Sequence, residues 1–201
     1  VSASTLTLVG RTSDDGKLGW LVAFATIPAV LAGLLLGDWI DTYGRSILVI
    51  AGTTILFGLA LGWADATNKA TRVMKELGFK DAVIIGVAQA IALIPGTSRS
   101  GITITAALML GFDRQSAARF SFLLSIPVIL GAGLLKGKEL IDIGADAHWQ
   151  MIGVGALVAA LSAWACIHLF LKLLDQIGMR PFVIYRLILG VTLIAVWAMT
   201  S

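Results

Sequence analysis

Seven consecutive residues, Pro95-Gly96-Thr97-Ser98-Arg99-Ser100-Gly101, place a chain break, three hydroxyls, two glycines and a permanent cation inside an otherwise apolar run. That set suits phosphate. If a helix starts here, its free N–H groups and the positive end of its dipole favour an anion over Thr97, Ser98, Ser100 and Gly101. The Arg99 guanidinium adds a planar fork of donors matched to phosphate oxygens. Glycines at 96 and 101 let the backbone turn and let a ligand come close. Ser98 is a nucleophile by residue type, but no base lies in its local sequence, so phosphate binding is its better role.

The segments that must carry this tip are short. Ala82 to Ile94 precede Pro95, Ile102 to Phe112 follow Gly101, and each run falls well below the ~20 residues that cross hydrocarbon. The pattern predicts a re-entrant hairpin over 82–112: a half-helix in, a Pro-Gly break, a half-helix out. Irregular backbone at membrane depth survives only where protein or a water-filled cavity covers it. The alternative is one kinked helix from Ala82 to Gly111 with Arg99 snorkelling. An arginine near the middle of a lipid-facing helix costs several kcal/mol, which disfavours it.

Lipid is the solvent that the composition implies. Of 201 residues 58% are hydrophobic and 13% charged, with a mean hydropathy of +0.92, against about 25% charged in soluble domains. The net charge of +3 is too small to point to nucleic acid. Cys166 has no cysteine partner, which excludes a disulfide framework or cysteine metal site and leaves core filling. Further spans are expected at Leu18–Gly37, kinked at Pro28, at Ser46–Ala64, from near Ser116 to Leu135, at Trp149–Leu171 and at Pro181–Met199. Asp65–Asp81 reads as a loop or surface helix, and its basic residues Lys69, Arg72, Lys75 and Lys80 assign it to the cytoplasmic side. The Lys136–His148 loop is then external.

Trp20, Trp39, Trp63 and Trp197, near run ends, and His148 beside Trp149 read as interfacial anchors. His168, isolated in an apolar run, reads as hydrogen-bonded packing. Asp113, Arg114 and Arg119 either extend the phosphate cradle or mark the membrane interface, and the second is favoured. No Ser-His-Asp set can be assembled from neighbouring residues. The whole is expected to be one all-α, polytopic membrane domain, 1–201.

The stretch from Gly86 to Ala132, GVAQAIALIPGTSRSGITITAALMLGFDRQSAARFSFLLSIPVILGA, resembles the second signature region of the undecaprenyl-diphosphate phosphatase family of the bacitracin-resistance type. PFVIYRLILG, Pro181 to Gly190, resembles that family's last helix, and the similarity runs from about Leu18 to the end. The resemblance implies hydrolysis of undecaprenyl diphosphate to the monophosphate carrier used in cell-wall synthesis, in the bacterial cytoplasmic membrane. It also implies an inverted repeat of which this chain is the second half, the two hairpin tips meeting near the midplane. Arg99, Ser98 and Thr103 would hold the diphosphate. Partners would be that lipid and membrane lipids, with a homodimer allowed and nucleic acid not expected.

The chain departs from the family in one respect. The first signature, Glu-x-x-x-Glu followed by Pro-x-Ser-Ser-Thr-Gly-His, occurs nowhere in it. Its acids would hold a divalent cation, Mg²⁺ or Ca²⁺, against phosphate oxygens, so no metal ligand is expected within this chain. Gln89, a neutral group able to hydrogen-bond substrate, stands at the pseudo-symmetric position of the first acid. The chain is therefore expected to be a fragment lacking the N-terminal hairpin, inactive alone. A natural half-length homologue pairing with another copy is the alternative. Besides the phosphatase, a flippase-like polyprenyl-phosphate carrier and a non-catalytic half needing its missing repeat stay open.

Overall fold

A computed structural model describes residues 3–143 and 149–200, nearly all of them helical. The order is α1 (Ala3–Tyr43), α2 (Ile47–Thr67), a 3-10 turn (Met74–Glu76), α3 (Phe79–Ile91), α4 (Arg99–Met109), α5 (Arg114–Ile143), α6 (Trp149–Ile177) and α7 (Arg180–Thr200). Among the described residues, five helical stretches are long and apolar enough to cross hydrocarbon: Gly16–Gly37 within α1, α2, Arg114–Lys138 within α5, α6 and α7. These are the expected spans with longer ends. α1 runs on through Pro28 to Tyr43, and α5 continues through Lys136 to Ile143, so the first part of the expected external loop is helix. The Lys, Glu, Leu and Ile residues there are tolerated helix formers, and nothing in them stops the helix. His148 and Asp146 lie outside the described residues.

Asp113 starts α5 as its N-cap. One carboxylate oxygen accepts from Ser116 N at 2.7 Å and the other from Ser116 Oγ at 2.8 Å. Arg114 turns back to Asp65 at the end of α2, Nε to Oδ1 at 2.6 Å and Nη2 to Oδ2 at 3.1 Å. Asp113 is thus occupied in capping α5 and Arg114 in joining α5 to α2, and Arg119 is exposed.

Two short helices, not one kinked helix, flank the Pro-Gly break. Arg72 shows that the chain reverses between them, because its guanidinium grips both outer ends at once. It donates to both oxygens of Asp81 in the first turn of α3, at 3.0 and 2.7 Å, and to the Leu110 carbonyl after α4, at 3.1 Å. It also lies 4.2 Å from the centroid of the Phe112 ring. Backbone bonds from Arg72 N to Gly111 O and from Asp113 N to Arg72 O pin the same connection. At 1.5 Å rise per residue each arm is only about 15–20 Å long.

This clasp is charged, so it should respond to acid. The Arg72 side chain holds the Asp81 carboxyl below the ordinary range, partial burial opposes it, and the Gly78 N–H adds to the lowering. A depressed folded pKa means that the stabilisation is present above the unfolded value of about 3.9 and is lost as pH falls from there through the folded one. Protection of the amides over 72–81, taken relative to their intrinsic exchange at each pH, should fall as the pH is lowered below about 4. Asp81→Asn should show the low protection already at neutral pH, and wild-type protection in that variant would disprove the clasp.

Small residues let the remaining helices close on the hairpin. α2 and α7 are antiparallel, with Gly58 against Arg186, Gly62 against Val183 and Gly190 against Ile55. Gly86 of α3 meets the backbone of Ala25 in α1 so closely that a Cβ there would strike it. Such contacts are how helices associate where burial of apolar surface offers little drive. Facing outward are large apolar side chains, including Leu34, Leu35, Leu56, Leu157 and Ile188, with Trp20, Trp39, Trp63 and Trp197 also exposed. A lipid environment accounts for a surface this apolar.

Candidate functional site

The hairpin tip is held from two sides. Thr53 Oγ1 of α2 donates to the Pro95 carbonyl at 2.6 Å, and Thr54 Oγ1 donates to the Gly96 carbonyl at 3.1 Å. From α7, Arg186 donates Nη2 to Gly96 O at 2.9 Å and Nε to Thr54 O at 3.2 Å. Thr54 is about 10 Å along α2 from Ile47, well inside its apolar length. Gly96 has φ +86°, and a Cβ there would fall on the Thr53 hydroxyl and the Ile50 carbonyl. Ser98 also has positive φ, +67°, uncommon for a residue with a side chain and typical of functional positions. It is the N-cap of α4, its Oγ accepting from Gly101 N at 3.3 Å.

A cavity of about 630 Å³ opens beside this tip. Gly96, Ser98, Ser100, Gly101 and Arg186 supply polar lining, and Ile104, Phe122, Phe170, Phe182 and Leu189 are among its apolar walls. The aromatic rings run in contact, Phe122 to Phe170 at 5.4 Å and Phe170 to Phe182 at 4.9 Å between centroids. The volume falls in the range that encloses a drug-sized ligand, roughly 300–1,000 Å³. A phosphate bearing an apolar chain suits both kinds of lining.

Of the residues that the sequence put forward for the tip, Gly96, Ser98, Ser100 and Gly101 line the cavity and the others do not. Arg99 begins α4 and is half-buried, with no ion pair among the described residues, yet it is not among the cavity-lining residues. Thr103 is buried away from the cavity, donating to Arg99 O at 2.9 Å and sharing a hydrogen bond with Ser121 of α5 at 2.7 Å. Thr97 and Gln89 are buried beside the tip and off the cavity wall, and Thr97 Oγ1 and Gln89 Nε2 lack hydrogen-bond partners. Cys166 is exposed and lines the cavity instead of filling a core. His168 is exposed as well, stacked on Trp164 with 5.9 Å between ring centroids, where packing was expected.

Arg186, Thr53 and Thr54 were missed. The signal for Arg186 was present, since a lone arginine inside an apolar span asks the same question as Arg99. The threonines carry no such signal, because a hydroxyl on a membrane helix usually bonds its own backbone. Thr53 does that too, at 2.8 Å to Val49 O.

The described residues do not fit a divalent cation. No three His, Cys, Asp or Glu side chains among them converge. Asp65, Asp81 and Asp113 are committed to Arg114, Arg72 and Ser116 respectively. What this chain assembles is a cavity lined by a hydroxyl- and glycine-rich tip, one arginine and a set of apolar and aromatic side chains.

Known proteins share this sequence nearly end to end. Curated undecaprenyl-diphosphatases are 57% identical over 188 residues in Chromohalobacter salexigens, covering 94% of this chain and 71% of the relative, and 58% identical over 188 residues in Hahella chejuensis, covering 94% and 70%. One from Saccharophagus degradans is 54% identical over 191 residues, covering 94% and 72%. The family model described as bacitracin resistance protein BacA matches residues 2–192, so the similarity begins well before Leu18. With the hairpin tip, the cavity and four of the five spans lying inside that match, and the fifth beginning in it, this chain belongs to the bacitracin resistance protein BacA family.

Proposed function

We infer that the protein hydrolyses undecaprenyl diphosphate to undecaprenyl phosphate and inorganic phosphate, as a multi-pass enzyme of the bacterial cytoplasmic membrane that recycles the lipid carrier for cell-wall synthesis. The observation that carries this reading is one cavity lined both by Gly96, Ser98, Ser100, Gly101 and Arg186 and by the aromatic rings of Phe122, Phe170 and Phe182. A soluble nucleotide has no use for such walls. In proteoliposomes the intact protein should release phosphate from a polyprenyl diphosphate and very little from a nucleoside diphosphate. Equal rates on the two would sink the assignment, and movement of labelled polyprenyl phosphate across the bilayer without hydrolysis would favour the carrier alternative.

In this reading α3 and α4 form a hairpin that enters the membrane and returns, the tip level with Thr53 and Thr54 of α2. Ser98, Ser100, Gly101 and the start of α4 bind phosphate oxygens, and Arg99 clamps the diphosphate. Thr97 and Gln89, each with an unpartnered buried atom, supply further polar contacts at the tip, and Thr103 supports the cradle through Arg99 O. The fold is one half of an inverted repeat, and α6, exposed from Trp149 to Leu169, is the helix open to a second copy. Mg²⁺ or Ca²⁺ belongs to the proposal as the group that would neutralise phosphate charge. The residues described here do not hold it, and no step is assigned to it.

This chain by itself should bind a prenyl diphosphate without hydrolysing it, because its tip provides donors and charge but no paired acid and base. Metal-dependent phosphate release by the purified 201-residue chain, free of host phosphatase, would contradict this.

A further inference from the structure

Arg186 has a buried charge and nothing negative beside it. The residue is 7% exposed. Its partners are two carbonyls, Thr54 O through Nε and Gly96 O through Nη2, and no carboxylate pairs with it among the described residues. Carbonyls satisfy donors but do not neutralise a cation, and an uncompensated buried charge is costly enough to be avoided unless something arrives to pair with it. Nη1 is the nitrogen left over. It sits against Gly101 at the start of α4, 3.2 Å from where a Cβ would be, and Arg186 lines the cavity at that point. Glycine at 101 keeps the space in front of Nη1 open.

Position separates the two tip arginines. Arg186 lines the chamber together with Phe122, Phe170 and Phe182, whereas Arg99 is not among the residues that line it. A prenyl diphosphate lying in that chamber has its chain against the aromatic rings, and the phosphate that enters the chamber with the chain is the one esterified to it. Resting on the functional reading above, we propose that Arg186 Nη1 binds this ester-linked phosphate, the one retained in the product, while Arg99 acts on the terminal phosphate that leaves. Arg186 is then a substrate-binding and positioning residue for a prenyl phosphate monoester as well as for the diphosphate. Its hold on Gly96 O couples that contact to the shape of the tip.

The two arginines should consequently differ in which ligand they affect. Binding to the 201-residue chain in detergent micelles can be followed with farnesyl diphosphate, farnesyl monophosphate and farnesol as probes. Arg186→Gln should weaken both phosphates by about 10- to 100-fold, the equivalent of one charge-assisted contact, and leave farnesol unchanged. Arg99→Lys should leave the affinity for farnesyl monophosphate at the wild-type level. Equal losses for farnesol and the phosphates in Arg186→Gln would mean a purely structural arginine, and unchanged monophosphate affinity would mean that Arg186 does not meet the ester-linked phosphate; either result overturns the proposal. If Arg186→Gln does not fold, Gly101→Ala crowds Nη1 together with the Ser98 hydroxyl, which a Cβ would meet at 3.2 and 3.1 Å. It should weaken both phosphates several-fold, and wild-type affinity for both would again overturn the proposal. Failure of the wild-type chain to bind either phosphate would instead count against the phosphatase reading itself, and with it this proposal.

Discussion

Lysine in place of Arg99 is expected to lower kcat/KM for a prenyl diphosphate by about 10²- to 10³-fold in the intact protein, the scale of losing one preorganised donor to developing charge. The substitution keeps the positive charge and removes the planar fork. Lysine is also a good helix former, so the first turn of α4 should persist and the folded yield should hold. Arg99 makes no ion pair among the described residues, so no salt bridge is lost with it. An interaction made mainly in the transition state lowers kcat and kcat/KM together. Phosphate release measured against substrate concentration distinguishes that pattern from a change confined to KM, and a wild-type rate for Arg99→Lys would remove Arg99 from the mechanism.

Alanine at Gly96 is the second large effect, and it acts on folding before chemistry. The position has φ +86°, and an added Cβ would meet the Thr53 hydroxyl and the Ile50 carbonyl, one of them backbone that cannot step aside. The conformational cost of a side chain in this region is about 1–2 kcal/mol, and overpacking adds roughly 1–3 kcal/mol. Relief of the clash would move the Gly96 carbonyl away from Arg186 Nη2, so the hydrogen bond at 2.9 Å should go as well. Thermal unfolding in detergent should fall by many degrees, and prenyl diphosphate binding should be lost even where folded protein survives. A melting temperature within about 2 °C of wild type, less than 1 kcal/mol for a chain of this size, would show that the tip is not seated on α2 as described.

Much of this was legible from the residues alone. The apolar runs of α2 and α7 and the middles of α1, α5 and α6 announce themselves, because in lipid a span must be both long and uncharged. The Pro95-Gly96 break and the shortness of the flanking runs likewise announce two short helices instead of one, since neither arm reaches the length of a crossing. The hydroxyls and glycines from 96 to 101 mark a tip whose donors suit an anion, and Gly96, Ser98, Ser100 and Gly101 do line the cavity. Helix ends were less legible. α1 and α5 outrun their apolar stretches because polar helix formers continue a helix for as long as no cap or breaker stops it.

What only the tertiary structure decided is which side chains meet. Arg72 closes the hairpin by reaching Asp81 and Leu110 together, a clasp that neither segment signals, since it joins the two ends of an excursion into the fold. Arg114 is spent on Asp65, and Thr103 on Ser121, partners on other helices, and neither lines the cavity. Above all, Arg186 reaches Gly96 from 90 positions away. Sequence records that an arginine stands in an apolar helix; the antiparallel packing of α7 on α2 through Gly58, Gly62 and Gly190 decides where it points. Residue type sets what a group can bind, and helix packing sets what it reaches.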